Sequence, residues 1–467
     1  MKSCIFLLAD GARADVFAEL LERGDLPNIS RYMIERGTYR NAVSVFPSTT
    51  GPAYTPFLLG RFPGRCNLPG IRWFDRNIYS KKLFSLFRFR SYIGLEAPLM
   101  KYDISKEYPT IFEILPNTVS LMNELTRGLS SKGNRTRFCS MWRKVKAHYD
   151  DSWDKIDVAV RHTLLESLNG TTQFTYCVFM SIDHFSHVNH PFHQEVIDGY
   201  RRLDDTVGQL VKSLEETGRA TETLLIVTSD HGLTPAHTHF DSVEFMVRQG
   251  YKTLYYPMVF KHFRDAEAAN MVSGNSMTHL YVKSPDGWGR PTTFGELSGL
   301  VDDLLEEKAV DIVAGRDEAG VVRIKSERGE ARAWIDEQRS IVYEPLEGDP
   351  FGYHDLSGAM SPYEAVANTA RTGYPDGILQ VIQLFDSPRT GDLVVSAAKG
   401  FDLRARYENP EHRSTHGALY REHMLVPFAI NAKINREFVR TADLFPTVLK
   451  YLGVEPPTEI DGENLID

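Results

Sequence analysis

Three aspartates and three histidines stand where they could share cations, and one threonine stands where it could act as a nucleophile. Asp10, Asp183 and Asp230 each close an apolar run: CIFLLAD over residues 4–10, YCVFMSID over 176–183 and TLLIVTSD over 223–230. Carboxylates gathered at one place repel and raise one another's pKa unless a cation holds them. Asp183-His184-Phe185-Ser186-His187 is a D-x-x-x-H, whose two ends share a face on a single helical turn. Asp230 runs straight into His231 and Gly232, and His416 is followed by Gly417, a turn that would present its imidazole. Oxygen and imidazole donors without thiolate suit Zn²⁺ first and Mn²⁺ less well.

The candidate nucleophile is Thr50. Residues 46–60, FPSTTGPAYTPFLLG, put it ahead of Gly51-Pro52 and an apolar helical stretch, and proline is well placed near a helix start. A threonine there lies beside backbone N–H groups that can hold a phosphate oxygen. A metal bound to its oxygen would make the hydroxyl a competent nucleophile at neutral pH. Thr49 is the rival; its neighbour is preferred for standing before x-Pro. His184, His190, His193, His237 and His239 read as loop or supporting residues, and Asn275 and His279 as supports.

These residues need elements to bring them together. The three runs are apolar throughout rather than alternating, the mark of strands covered on both faces in a parallel sheet. Helical patterns over 16–23, 194–217 and 294–307 accompany them. The expected fold is therefore α/β, a mostly parallel central sheet with helices on both faces, and its functional crevice lies at the carboxyl ends of the strands. A single catalytic domain is expected over 1–467. Residues 72–165 break the strand–helix rhythm and are expected to form an inserted lid. Residues 310–345 are expected as a small antiparallel appendage, and 377–399 as strands returning to the main sheet. Within the lid, 72–92 interleaves Arg and Lys with Trp, Phe and Tyr. It either packs its rings on the main domain, walls an anionic and partly apolar substrate, or touches lipid headgroups.

Composition narrows the function classes. Apolar residues at 42% and charged residues at 25% are ordinary for a globular chain. A net charge of −9 argues against a nucleic acid polymer as partner. Cys4, Cys66, Cys139 and Cys177 form no C-x-x-C, and Cys4 and Cys177 lie in apolar runs, as buried reduced thiols do. The opening MKSCIFLLAD is too short for a signal-peptide core, and no run approaches the roughly 18 apolar residues of a membrane helix. The chain is expected to be cytoplasmic.

In its order Asp10, Thr50, Asp183-x-x-x-His187, Asp230-His231-Gly232, His416-Gly417, the chain resembles the alkaline phosphatase superfamily, nearest to its type I phosphodiesterase / nucleotide pyrophosphatase branch. The tail RTADLFPTVLKYLGVEPPTEIDGENL is similar to that superfamily's closing segment. The resemblance implies two metals, one on Asp183, His187 and His416, the other on Asp10, Thr50, Asp230 and His231. It implies in-line attack by Thr50, a covalent phosphothreonine and its hydrolysis by water, on a small-molecule or lipid phosphoester. A phosphomonoesterase or phosphotransferase of the same superfamily is the alternative, and a non-catalytic phosphate- or lipid-binding relic is a third. Where the branch has Thr-Phe-Pro-Asn, this chain has Thr50-Gly51-Pro52-Ala53. Where the branch places a phosphoryl-binding asparagine about twenty residues later, ungapped counting reaches Ile71. Asn67, Arg72 and Asn77 are candidates for that role, with Gly51 beside the nucleophile. The C/S-x-P-x-R of sulfatases is absent.

Overall fold

The apolar runs form strands. Ser3–Ala9, Phe174–Phe179 and Thr223–Thr228 are buried at every residue. Ser3–Ala9 lies between the other two in parallel register, with Ala9 opposite Phe179 and Ser3 opposite Thr223. The computed structural model describes residues 1–81, 85, 88–135, 147, 151–168, 170–262, 264–404 and 411–466. Its main sheet has seven strands in the order Val439–Arg440, Thr38–Val43, Leu425–Ile430, Thr223–Thr228, Ser3–Ala9, Phe174–Phe179, Thr118–Leu121. Leu425–Ile430 runs against both neighbours, and every other pairing is parallel. The carboxyl ends of the three central strands thus point the same way.

Two of the helices follow the sequence pattern closely, at Ala14–Glu22 and Gln194–Glu216, while the third begins later, at Ser298–Leu305. The 176–183 run corrects one boundary: its strand stops at Phe179, and Asp183 lies in the first turn of the helix Ser181–Val188. Among the described residues no helix is long and apolar enough to cross a membrane. Cys4, Cys66 and Cys177 are buried and unbridged, and Cys139 lies outside the described residues.

The stretch 310–345 is antiparallel, as its turns indicate, but belongs to a larger body. Val310–Arg316, Val322–Ser326, Gly329–Ile335 and Ile341–Gly348 pair in sequence. Val310–Arg316 then joins Leu393–Ala397, making a nine-stranded sheet that continues through Met277–Val282 and Ala268–Ser273. The expected return of 377–399 to the main sheet is corrected as well. Gly377–Leu384 is a helix buried at all eight residues, and Leu393–Ala397 belongs to the second sheet. Two glutamines three apart decide the helix. Gln380 Oε1 accepts from the Phe46 N–H at 3.1 Å and Gln383 Nε2 donates to the Phe46 carbonyl at 2.7 Å, a pairing that helical spacing brings to one face.

The 72–165 stretch is only partly outside the main sheet, because Thr118–Leu121 forms its edge strand and the helix Trp153–Glu166 packs on Phe174–Phe179. In 72–92, Arg72–Phe74 pairs with Phe89–Ser91. Trp73, Phe74, Arg88 and Arg90 are buried, Phe74 packing edge-on to Tyr281 and Trp288, and Arg90 pairing with Asp103 at 2.9 Å. Of the readings open for this segment, these side chains follow the first: Phe74 packs on the second sheet, Trp73 lies in the main core, and Arg90 is tied to Asp103. Lys81 is exposed; Lys82 lies outside the described residues.

Candidate active site

The Phe46 clamp sets the nucleophile loop. From it the chain runs through Ser48, whose hydroxyl donates to the Ala418 carbonyl at 2.9 Å, to Gly51 at φ +93° and the short turn Pro52–Tyr54. Thr50 is left half-buried, its Oγ1 3.3 Å from Asp10 Oδ1 and 3.1 Å from His231 Nε2. Thr49 Oγ1 is buried with no hydrogen-bond partner among the described residues, so the choice between the two hydroxyls falls on Thr50.

The acids arrive from three elements. Asp10 directly follows Ser3–Ala9, and its N–H donates to the Phe179 carbonyl at 2.9 Å. Asp230 stands two residues beyond Thr223–Thr228, and its Oδ1 accepts from the Gly11 N–H at 3.3 Å. A Cβ at Gly11 would lie 2.9 Å from the Asp183 Cα in a backbone at φ +74°, so only glycine lets Asp10 and Asp183 approach this closely. The helix bearing Asp183 and His187 is anchored by Asp157, whose carboxylate accepts from the N–H groups of Met180 at 3.0 Å and Ser181 at 3.3 Å. Ser414–Thr415 pairs antiparallel with Thr234–His239 and delivers His416 at its end. There a Cβ on Gly274 would come within 2.8 Å of His416 Nδ1.

All three histidines are aimed alike. Nδ1 lies 2.8 Å from the Ser414 carbonyl in His187, 3.0 Å from the Ser48 carbonyl in His416 and 3.3 Å from the Gly232 carbonyl in His231. A carbonyl only accepts, so each Nδ1 carries a proton and each Nε2 is the nitrogen turned to the cluster, the orientation of a metal-binding imidazole. Those nitrogens meet carboxylate oxygens: His187 Nε2 is 3.4 Å from Asp183 Oδ1, and His231 Nε2 is 3.4 Å from Asp230 Oδ2 and 3.6 Å from Asp10 Oδ1. Asp183 Oδ1 and Asp230 Oδ2 are buried with no hydrogen-bond partner among the described residues. Buried carboxylate oxygens without donors, converging with imidazole nitrogens, are the set a cation would satisfy, so the donor set fits divalent metal. Donor atoms of Asp183, His187 and His416 lie within 4.8 Å of one another, as do those of Asp10, Asp183 and His231. All seven expected ligands, Thr50 and Asp230 included, are thus brought together.

The electrostatics agree. Burial first, then Asp230 and Asp183, pushes Asp10 well above the usual carboxylate range. Burial also raises Asp230. Burial, aided by His231 and His187, pushes His416 well below the usual imidazole range and keeps it neutral. A bound dication would reverse the carboxylate shifts.

Residues 67–77 lie differently. Asn67 Oδ1 accepts from Ser387 at 2.9 Å, Arg72 is buried with Nη1 on the Val272 carbonyl at 2.9 Å, and Asn77 is exposed on the helix Arg76–Lys81. These contacts tie Asn67 and Arg72 into the scaffold. His279 is a support, its Nε2 on the Pro69 carbonyl at 3.0 Å. Asn275 donates to Asp402 Oδ2 at 3.3 Å and lies 3.1 Å from His412 Nδ1. A pocket opens beside the cluster, lined by Trp153, Met180, Asp183, His184, His187, Val188 and His412. Trp153 and His412 carry no sequence signal strong enough to single them out. His412 stands four before His416, a ligand spacing on a helix, but here the backbone before His416 is extended.

Comparison with known proteins places this arrangement. The profile of the type I phosphodiesterase / nucleotide pyrophosphatase family matches residues 4–419. Murine ectonucleotide pyrophosphatase / phosphodiesterase 5 superposes with a TM-score of 0.58 at 13% identity, covering 99% of this chain and 97% of that one. Phosphonoacetate hydrolase from Sinorhizobium meliloti, in complex with phosphonoformate, gives 0.55 at 17% identity over 97% and 96%. Both show the same α/β fold. The human GPI ethanolamine phosphate transferase 3 catalytic subunit is 28% identical over 156 residues, 30% of this chain but only 14% of that protein's length. With a profile match running through every element that carries the cluster, the chain belongs to the type I phosphodiesterase / nucleotide pyrophosphatase family.

Proposed function

We propose that the chain is a metal-dependent phosphodiesterase acting through a covalent phosphothreonine. The observation that carries this reading is Thr50 Oγ1, half-buried and within 3.3 Å of Asp10 and 3.1 Å of His231, inside the cluster of acceptors. Asp183, His187 and His416 would hold one cation, Zn²⁺ by the donor chemistry, and Asp10, Thr50, Asp230 and His231 a second. When bound, such ions supply Lewis acidity and lower the pKa of coordinated hydroxyls and water. The chain's own part is positional. The Phe46 clamp fixes Thr50, Asp10 Oδ1 accepts its hydroxyl hydrogen, and the carbonyl-anchored imidazoles turn their Nε2 atoms inward. As the Thr50 Oγ–P bond forms, the P–O bond to the leaving alcohol breaks. Water then cleaves the phosphothreonine, releasing a phosphomonoester and restoring the hydroxyl.

A panel of bis-p-nitrophenyl phosphate, p-nitrophenyl phosphate and a nucleoside 5′-monophosphate p-nitrophenyl ester tests the reading. Turnover of a diester well above the monoester, abolished by chelation and restored by Zn²⁺, is expected; a preference for the monoester would reject it. The likeness to a phosphate transferase favours a second reading, in which an alcohol replaces water as acceptor. Adding ethanolamine or glycerol and looking for an alkyl phosphate product decides between the two.

A further inference from the structure

The resemblance gives each acid to one cation, but the geometry does not divide the acids so evenly. Donor atoms of Asp183, His187 and His416 lie within 4.8 Å of one another, and so do those of Asp10, Asp183 and His231. Ligand atoms about 2 Å from a zinc ion lie no more than about 4 Å apart, so each trio stands close to the span that one ion would draw together. Among the described residues, Asp183 is the one common to both trios. A carboxylate has two oxygens, and each can accept. On Asp183 the Oδ1 lies 3.4 Å from His187 Nε2 and is buried with no hydrogen-bond partner among the described residues.

The backbone makes this double approach possible. Gly11, directly after Asp10, donates its N–H to Asp230 Oδ1 at 3.3 Å. Asp183 packs against the same glycine, where a Cβ would stand 2.9 Å from both its Cα and its Cβ. The three acids therefore close around one residue, whose φ of +74° favours glycine. Asp230 is fully buried, and its Oδ2 meets His231 Nε2 at 3.4 Å with no hydrogen-bond partner among the described residues. From its other side Asp183 is held by its own helix, which carries His187 one turn beyond it and is anchored at its start by Asp157. Asp183 thus has a helical imidazole on one side and the strand-end acids on the other.

Resting on the metal-dependent reading above, we infer that Asp183 is a ligand common to both cations, one carboxylate oxygen on each. It joins Asp10, Thr50, Asp230 and His231 on the second ion while staying with His187 and His416 on the first. The two sites are then not independent. Loss of this one acid weakens both ions, whereas loss of a histidine or of Asp10 weakens one.

Zinc binding, read without turnover, tests this. Metal-free protein titrated with Zn²⁺ against a chromophoric chelator gives an affinity for each ion, and the wild type is expected to bind two. Asp183→Asn should weaken both ions at least about tenfold with unchanged circular dichroism. Asp10→Asn removes the same charge from the same cluster and controls for it: one ion should weaken and the other stay within about threefold, as in His416→Ala and His231→Ala. A smaller loss at either ion in Asp183→Asn, or both ions weakened equally in Asp10→Asn, would overturn the inference while leaving the metal-dependent reading in place. A crystal structure of the zinc-loaded wild type decides the matter without any variant: each ion should have an Asp183 oxygen at about 2.0–2.2 Å. An ion lacking one, or a single zinc ion per chain, would overturn the inference and again spare the reading. A wild type that binds no zinc, manganese or other divalent ion would remove that reading, and the inference with it.

Discussion

Thr50 donates to Asp10 within a cluster of acceptors, and on the proposed reading its hydroxyl matters to the reaction far more than to the fold. Removing its hydroxyl deletes one oxygen from a half-buried position. Thr50→Ala should therefore lower kcat/KM at least about a thousandfold with unchanged circular dichroism and nearly unchanged metal content, and Thr50→Ser should recover part of the rate. Activity within a few-fold of wild type in the alanine variant would return attention to direct attack by water. The residues that converge on the cluster are legible in the sequence because a metal site would impose spacing: a D-x-x-x-H on one helical turn and an Asp-His at a strand end are constraints written in few residues. Trp153 is not legible there, since an indole that lines a pocket and one that fills a core look the same in sequence. Asn67 and Arg72 show the converse. Their position after the nucleophile suggests phosphate binding, while the contacts seen are with Ser387 and the Val272 carbonyl.

At the scale of elements, the helix Trp153–Glu166 governs the site by way of Asp157. Its buried carboxylate accepts from the first N–H groups of the neighbouring helix at 3.0 and 3.3 Å. Burial nevertheless raises its pKa from 3.8 to about 6. A raised folded pKa means that the folded state holds a proton the unfolded chain releases. The stability from this group is thus complete below 3.8 and lost as pH rises through about 6. Asp157→Asn should flatten stability against pH over that window by up to about 1.4 kcal/mol per unit, read from urea unfolding of variant and wild type together. Asp157→Ala should cost about 1–3 kcal/mol and weaken metal binding, because it frees the helix that carries two ligands. The central strands are readable from unbroken apolar runs buried on both faces. The helix Gly377–Leu384 is not, because a short apolar run is compatible with either element, and the contacts that decide it join glutamines to Phe46, more than 300 residues earlier in the chain.

Across the whole molecule the cluster joins parts that are far apart in sequence: two strand ends of the main sheet, the helix after a third, and a loop that touches Gly274 at the edge of the second sheet. Without cations this junction is under electrostatic strain that grows with pH. Asp10 and Asp230 are raised, so their share of stability is full below 3.8 and is lost as pH rises through their folded values. His416 is lowered, so its neutral form, which a metal requires, persists as pH falls below 6.5. The difference in Tm between metal-loaded and chelated protein should accordingly widen from about pH 5 to about pH 8; a difference that narrowed would contradict the assignment of these carboxylates to metal. The way the imidazoles are held bears on how the family can drift. Each is oriented by a main-chain oxygen, at Ser48, Gly232 and Ser414, and a main-chain oxygen is present whatever residue stands there. Mutation can remove a ligand, but it cannot readily disorient one by changing its partner's side chain. Ser414, whose own hydroxyl is buried without a partner among the described residues, is the cleanest case: Ser414→Ala should leave activity and metal affinity unchanged, where His187→Ala should abolish both. In a deep mutational scan the site would appear as a few intolerant positions beside permissive ones, the orienting information being stored in the backbone trace, where single substitutions do not reach it.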